Sequence, residues 1–497
     1  MSNRVQIGLG LLAWATSASQ QFIDVLSQAS LSISYPSILD MLEALSMRSI
    51  EDACKIAAGP HCYQYDNINI LTSIFVEQVP GAQNKMNSGT FSIIYELPPT
   101  ALAKDTALAP LMARLRTRLQ PLTMLDLRPS RTSLEFYQLQ TMVNVVKPLS
   151  KYALGFSKYA DDPMLKHKPC RRLPDGYKTQ YHPLRCSTIE EASISGNILH
   201  HKDIYIIQLK QDPNSLNDIA IPTINDQLTN ACNRGIQEIW GRDLTPWTRR
   251  ELFAIAFGMF HLLMNLIWGL LHVHYGAINI PGSLSYFFAL LEKFRLGGEH
   301  PDFHTLLAAL TQILDGLLLN VWRQECALDG FPDFKSFLAL EPTLDQLLGY
   351  ARHIIWKYAT PNAKLPSPIL KIQDTVPTAA INKSDTIHEN VVRLTRDLLY
   401  VIEIVEATAD GNFGRIEDIL PDLACVFSGA GSNKYSTEIL HWIYNVKNVW
   451  TPKFANIMHD TMLVNPSGLP GRAMGIDLNI EHLIGYLKVC IQLPSTS

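Results

Sequence analysis

Residues 62–70, Cys-Tyr-Gln-Tyr-Asp-Asn-Ile-Asn-Ile, form a strand-like run, and two more follow at 71–79 and 89–97, separated by Asn and Gly turn residues. Three strands in succession ahead of a long helical stretch are the usual opening of an α/β or α+β core. On the N-terminal side, residues 1–60 read as paired helices: Ser34-Tyr35-Pro36-Ser37 gives a turn and cap, and Ser49-Ile50-Glu51-Asp52 opens another helix. On the C-terminal side, helices are expected at 111–119 and 131–159, the latter kinked or split by Pro148. Residues 160–200, rich in Pro, Lys and Arg, read as a loop or insertion. Strand character returns at 203–209 and 219–224. From 228 to about 358 the chain reads as helical, with Gly and Pro breaks, and a polar, Pro-rich connection at 360–387 precedes further helices to about 490.

The chain has 497 residues, 47% of them hydrophobic and 18% charged, enough apolar material for two or three packed units and too much for a disordered chain. A net charge of −4 gives no global attraction to phosphate, so any nucleic-acid contact needs a local basic surface. The candidate is Lys166, Lys168, Arg171, Arg172 and Lys178, with His167 among them; a solvated loop is the plain alternative. Eight cysteines without a Cys-x-x-Cys pair fit reduced thiols in an intracellular, reducing compartment. Cys170, His182 and Cys186 lack a fourth zinc ligand at usual spacing. The apolar stretch after Arg4, with Ser17-Ala18-Ser19, mimics a signal peptide but continues at helical spacing through Phe22, Ile23, Val25 and Leu26. Residues 253–271 have the length of a membrane span, yet they carry His261 and Asn265 and read as a buried core helix. No membrane association is expected.

Two acids stand in or just after strand-like runs: Asp66, and Asp226 in Ile224-Asn225-Asp226-Gln227-Leu228-Thr229. Side chains at strand ends of an open α/β sheet converge on a common crevice, so acids on neighbouring strands are placed to share a divalent metal. Taken singly, an Asp beside an Asn near a strand end is more often a turn or helix cap than a ligand.

The elements Tyr65-Asp66-Asn67-Ile68-Asn69, Asn225-Asp226-Gln227-Leu228-Thr229, Phe260-His261-Leu262, Pro281-Gly282-Ser283-Leu284, Ala409-Asp410-Gly411 with Arg415, Gly429-Ala430-Gly431 with Lys434-Tyr435, Val464-Asn465-Pro466-Ser467-Gly468 and Asp477-Leu478-Asn479-Ile480-Glu481-His482 carry a resemblance. In this order they resemble a large domain of unknown function found in fungal, transposon-associated proteins. The resemblance implies a mixed α/β, predominantly helical chain: an RNase H-like transposase core interrupted by a large helical insertion. The expected parts are an N-terminal helical segment (1–60), the first part of the core (61–227), the insertion with its Pro-rich connection (228–387), and a C-terminal helical part completing the core (388–497). It further implies Asp66 and Asp226 as catalytic, metal-binding acids, with Glu481 third and Asp477 and Asp410 as alternatives. Mg²⁺ or Mn²⁺ would be the cofactor and DNA the partner, which places the protein in the nucleus. One departure is that Asn225 stands where the pattern often has Gly, as expected of a drifting, inactive copy. A DNA-end-binding module found upstream in such proteins is expected to be missing.

The remaining motifs have plain readings. His261 sits in an apolar stretch and reads as a hydrogen-bonded core histidine. Gly429-Ala430-Gly431-Ser432 lacks the Gly-Lys-Ser/Thr of a nucleotide loop and reads as a turn. Trp240, Trp247 and Trp268 are spaced as core and cap residues. No Gly-x-Ser-x-Gly elbow and no His-Glu-x-x-His is present. The expectation is metal-dependent DNA phosphodiester cleavage or strand transfer. Its rival is a non-catalytic DNA-binding or protein-interaction scaffold whose acids are solvated caps. A third reading, a small-molecule enzyme in the helical half, requires a deep polar pocket around His261.

Overall fold

The computed structural model describes residues 4–72, 85–117, 120–360 and 386–491. Most of the run expected as a strand at 71–79, and the Pro-rich connection at 360–387 beyond Thr360, lie outside the described residues. The chain is 62% helix and 10% strand and mixed α/β, as expected. It forms two compact units. Unit 1 comprises residues 1–120, 175–260 and 444–497, and unit 2 comprises residues 121–174 and 261–443.

Unit 1 contains a five-stranded sheet built from β1 (His61–Thr72), β2 (Lys85–Glu96), β3 (Tyr181–Pro183), β4 (Ile221–Asn225) and β5 (Phe253–Phe257), in the order β3-β2-β1-β4-β5. β1 and β2 pair antiparallel along twelve residues, His61 opposite Glu96 and Thr72 opposite Lys85, and β3 continues antiparallel on β2. β4 runs parallel to β1, with Tyr63 opposite Thr223, and β5 runs parallel to β4. Parallel neighbours need a crossover. The helix Ile194–Lys202 lies in the connection that leads into β4, and Gln227–Ile239 lies between β4 and β5.

Four sequence expectations are corrected here. Residues 253–271 are not one helix: Phe253–Phe257 is a strand, Gly258 a break, and Met259–His274 the helix. A fully buried apolar run reads alike as strand or helix, and the five-residue ladder to β4 decides it. The expected strand at 203–209 is a π-helical turn, Asp203–Gln208, continuing from Ile194–Lys202. Its Tyr205 is held by a hydroxyl contact of 2.9 Å to His61 Nε2, a tertiary bond that overrides the β-branched composition. Within the expected loop at 160–200, Tyr181–Pro183 adds an edge strand too short to leave a periodic signal. At the N-terminus, Ser34 caps Tyr35–Ala57, its hydroxyl accepting the Ser37 N–H at 3.3 Å, and Ser49 to Asp52 lie inside that single helix.

On one face of β1, Tyr63 and Tyr65 point toward the helix Ile194–Lys202. The Tyr63 hydroxyl lies 3.0 Å from His200 Nε2, and the Tyr65 hydroxyl donates to Asn197 Oδ1 at 2.6 Å and lies 3.0 Å from His201 Nε2. Burial pulls His61 and His200 down to about 4, and pulls His201 down as well.

Unit 2 is helical. Its framework includes Arg131–Tyr152, Phe303–Leu328, Leu344–Tyr358 and Thr386–Ala409. Pro148 is accommodated inside the first of these, where the chain stays helical to Tyr152. Phe303–Leu328 is long and apolar enough, by length and composition, to cross a membrane. Its Trp322 is buried and donates from Nε1 to the Val145 carbonyl at 2.9 Å, tying it to Arg131–Tyr152.

Because the folded rings of His61 and His200 titrate well below 6.5, they are neutral in the fold, and acid favours the unfolded chain. Their contribution is complete above pH 6.5 and is lost as pH falls toward 4. Urea denaturation at stepped pH should show stability falling across that window by roughly 3 kcal/mol per ring. A His200→Gln variant should fall less steeply; an unchanged slope would mean that His200 does not titrate with unfolding.

Candidate metal centre

Asp66 lies near the middle of β1, opposite Phe91 of β2. Carried three residues beyond the Tyr63–Thr223 pair, the parallel register brings it alongside Asp226, just past the end of β4. Its neighbour Tyr65 donates its backbone N–H to Asn225 Oδ1 at 3.3 Å, so the Asn that departs from the expected Gly is a buried cross-link between β1 and β4.

The helix Ile476–Ile491 docks on the same sheet through polar contacts. Asn479 Nδ2 donates to the Tyr95 hydroxyl at 2.9 Å. The Gln64 amide, in the orientation that satisfies both its ends, donates to the Ile476 carbonyl at 3.0 Å and accepts the Asp477 N–H at 3.1 Å. Asp477 is buried, and its Oδ1 accepts the Phe260 N–H at 3.0 Å. That amide belongs to the first turn of Met259–His274, where helix N–H groups lack intrahelical partners and a carboxylate is favoured. Asp477 thus serves as a structural anchor. Glu481 follows one helical turn later on the same face.

Anchoring Phe260 also fixes His261, the next residue. The boundary between the units falls at this peptide, inside a helical turn that unit 1 begins. Asp66, His261 and Glu481 each present one ligand atom, and the three atoms lie within 4.8 Å of one another, all on half-buried side chains. Among the described residues this is the one group of three or more metal-binding side chains. Two carboxylates and an imidazole suit a divalent cation that accepts both oxygen and nitrogen. Mn²⁺ fits this set, whereas Mg²⁺ favours oxygen alone.

The other predicted acids are not members of this group. Asp226 is outside the three-residue group and caps the helix Gln227–Ile239, its carboxylate accepting the Thr229 N–H at 2.7 Å. Asp410 belongs to unit 2 and pairs with Arg415 Nη1 at 3.0 Å. The buried Arg415 is also held by both oxygens of Glu403, at 2.7 and 2.9 Å, and Glu403 accepts from Asn144 at 2.9 Å. Of the basic residues, Lys166 and Lys168 are exposed on unit 2, while Arg171 is paired with Glu417 at 2.5 Å. Arg172 forms a β-bridge with Asn412, and Lys178 lies in unit 1 beside Gly468. His182 Nε2 lies 2.8 Å from Glu96 Oε1 in the sheet.

One acid escaped the sequence reading. Glu191 is 1% exposed, and its carboxyl is held well above its ordinary value, first by burial and then by the charges of Asp66 and Asp226. Neither oxygen makes a hydrogen bond of regular geometry. The nearby Thr229 side chain and Asn67 N–H offset only part of the cost. In the sequence, Glu190-Glu191 looks like any polar pair in a loop.

A profile of a family of unknown function, DUF6589, matches residues 116–493, about three quarters of the chain. The chain belongs to DUF6589. The match covers Asp226, His261, Asp477 and Glu481 and begins after Asp66. No curated protein and no solved structure matches this DUF6589 chain.

Two outcomes follow from this geometry. A Cβ at Gly258 would stand 2.3 Å from Asp477 Oδ2. Gly258→Ala should therefore cost about 1–3 kcal/mol in thermal or urea denaturation; a neutral substitution would show that Asp477 is free to move. Glu191 behaves oppositely to the histidines. A folded pKa raised above the unfolded value of 4.5 means that stability falls as pH rises through the interval between the two. Glu191→Gln should match the wild type near pH 4 and gain on it by about 1.4 kcal/mol per pH unit within that interval. Parallel melting curves at all pH values would show that Glu191 is ionised in the fold.

Proposed function

We propose that this DUF6589 protein is a transposase-derived, RNase H-like protein built for metal-dependent cleavage or strand transfer at DNA phosphodiesters. The observation that carries the reading is the convergence of Asp66, His261 and Glu481, from a central strand and two helices, on one point at the sheet. Further support comes from the sheet: an antiparallel β1-β2-β3 meander with two parallel strands added beyond β1.

On this reading Asp66 and Glu481 would hold the cation through carboxylate oxygens, and His261 would add a ring nitrogen. A bound divalent ion supplies Lewis acidity at the phosphate and a lowered pKa for a coordinated water. The chain does the rest. Asp477 holds the turn carrying His261, β1 holds Asp66 in register, and Asp226 contributes negative charge from the neighbouring strand end. Glu191, its carboxyl raised first by burial and then by the charges of Asp66 and Asp226, adds a further acid beside them.

Asp226 favours the second reading, a DNA-binding or protein-interaction scaffold. Its carboxylate already serves as a helix cap, as expected where the acids are structural.

Calorimetric titration with Mn²⁺, together with a DNA-nicking assay, decides between them for the wild type, Asp66→Asn, Glu481→Gln and Asp226→Asn. The catalytic reading expects Mn²⁺ binding and nicking to be lost in the first two variants, with weaker binding in Asp226→Asn. Negligible binding and no nicking by the wild type would leave the scaffold.

A further inference from the structure

Unit 2 carries a groove formed by the helices Arg131–Tyr152 and Leu344–Tyr358 and, at one end, by the segment around Lys166. It consists of two adjoining cavities of ≈ 460 and ≈ 390 Å³ that share Met142, Gly349 and Arg352. Met142 gives it an apolar wall. Lys166 and Lys168 line one cavity, Trp356 lines the other, and Arg352 lines both. All three cations are exposed, and no acid among the described residues pairs with them. Asp345 is the acid on the groove's wall, so the lining is net positive.

Trp356 is 70% exposed, an unusual position for the largest apolar side chain. Its neighbour His353, 6.1 Å away ring to ring, is tethered 3.2 Å from the buried carboxylate of Glu325. Gly349 is the second anomaly. It lies inside Leu344–Tyr358, where glycine weakens a helix, and a Cβ there would meet nothing within 4 Å. Packing does not require that glycine, whereas an unobstructed groove does.

We propose that this groove binds single-stranded nucleic acid, with Lys166, Lys168 and Arg352 on the phosphates and a base stacked on Trp356. An apolar channel with unpaired cations and an exposed aromatic ring is the combination that holds unpaired strands, because every base offers a π-face and every linkage a charge. A duplex keeps its bases stacked on one another and gains nothing from the tryptophan. The proposal rests on the nucleic-acid part of the reading above and is independent of the carboxylates.

The test is fluorescence anisotropy with a labelled oligothymidylate of ~20 nucleotides and the full chain in EDTA, from about 50 to 200 mM salt. Because EDTA is present throughout, the result is independent of any cation at Asp66. The wild type should bind with a marked salt dependence, and Trp356→Ala should weaken binding about tenfold. The triple variant Lys166→Gln, Lys168→Gln, Arg352→Gln should lower the log–log salt slope by about 2, at roughly 0.7 per phosphate contact. Gly349→Leu should lose binding while melting no lower than the wild type, which separates a blocked groove from a damaged fold. Failure of the wild type to bind at low salt would overturn the proposal. So would equal affinity across the variants, tighter binding of a duplex of matching length, or competition by a phosphopeptide but not by unlabelled oligothymidylate.

Discussion

The hydrogen bond from the Phe260 amide to the buried Asp477 carboxylate is the contact on which the arrangement at the sheet depends. Asp477 stands in the first turn of one helix and accepts from the first turn of another, so a single carboxylate meets two helix starts. Burying that charge is costly unless donors surround it. The Phe260 amide is such a donor, and Gly258 and Gly475 leave room for the carboxylate: a Cβ at either position would fall within 2.6 Å of an Asp477 oxygen. Two residues at fixed offsets inherit their positions from this bond. His261 follows Phe260, and Glu481 follows Asp477 by one turn.

What was legible in the sequence follows the length and locality of each signal. β1 shows itself because twelve strand residues carry their own pattern. β3 has three residues and exists only because β2 offers an edge. Phe253–Phe257 and the turn at Asp203–Gln208 were exchanged in kind because buried apolar runs look alike until their hydrogen-bond partners are known. For the first the partner is β4; for the second, His61 tethers Tyr205. At the candidate site, the strand-like run drew attention to Asp66 and resemblance strengthened it, whereas Glu481 came from resemblance alone. His261 was assigned to the core because an apolar helix predicts burial and says nothing of which neighbour arrives from elsewhere in the chain. Glu191 left no signal, since its distinction is entirely its surroundings.

The acids divide by what surrounds them. Asp410 and Glu403 converge on the fully buried Arg415, whose guanidinium offers each a charge-assisted bond. The removal of one member of such a network strands the others in a low dielectric, so it fixes the helices of unit 2 relative to one another. The motif Ala409-Asp410-Gly411 with Arg415, met in the sequence as a candidate ligand, is accounted for by this internal pairing.

At the sheet the acids gather around a histidine. Asp66 and Glu481 offer oxygens within 4.8 Å of each other and of His261, and Asp66 and Asp226 both raise the carboxyl of Glu191. Like charges at such range repel, and a cation among them relieves that repulsion. At Glu191 burial is the larger cause and the two charges the smaller. A buried carboxyl raised in this way weakens a fold as pH rises, whereas an uncharged replacement would relieve it. The bonds of Arg415 account for Asp410 and Glu403 within unit 2, whereas Asp66, His261 and Glu481 bring three ligand atoms within reach of a single ion, which is the physical argument for reading the Asp66 site as a place for a cation and the Arg415 network as structural.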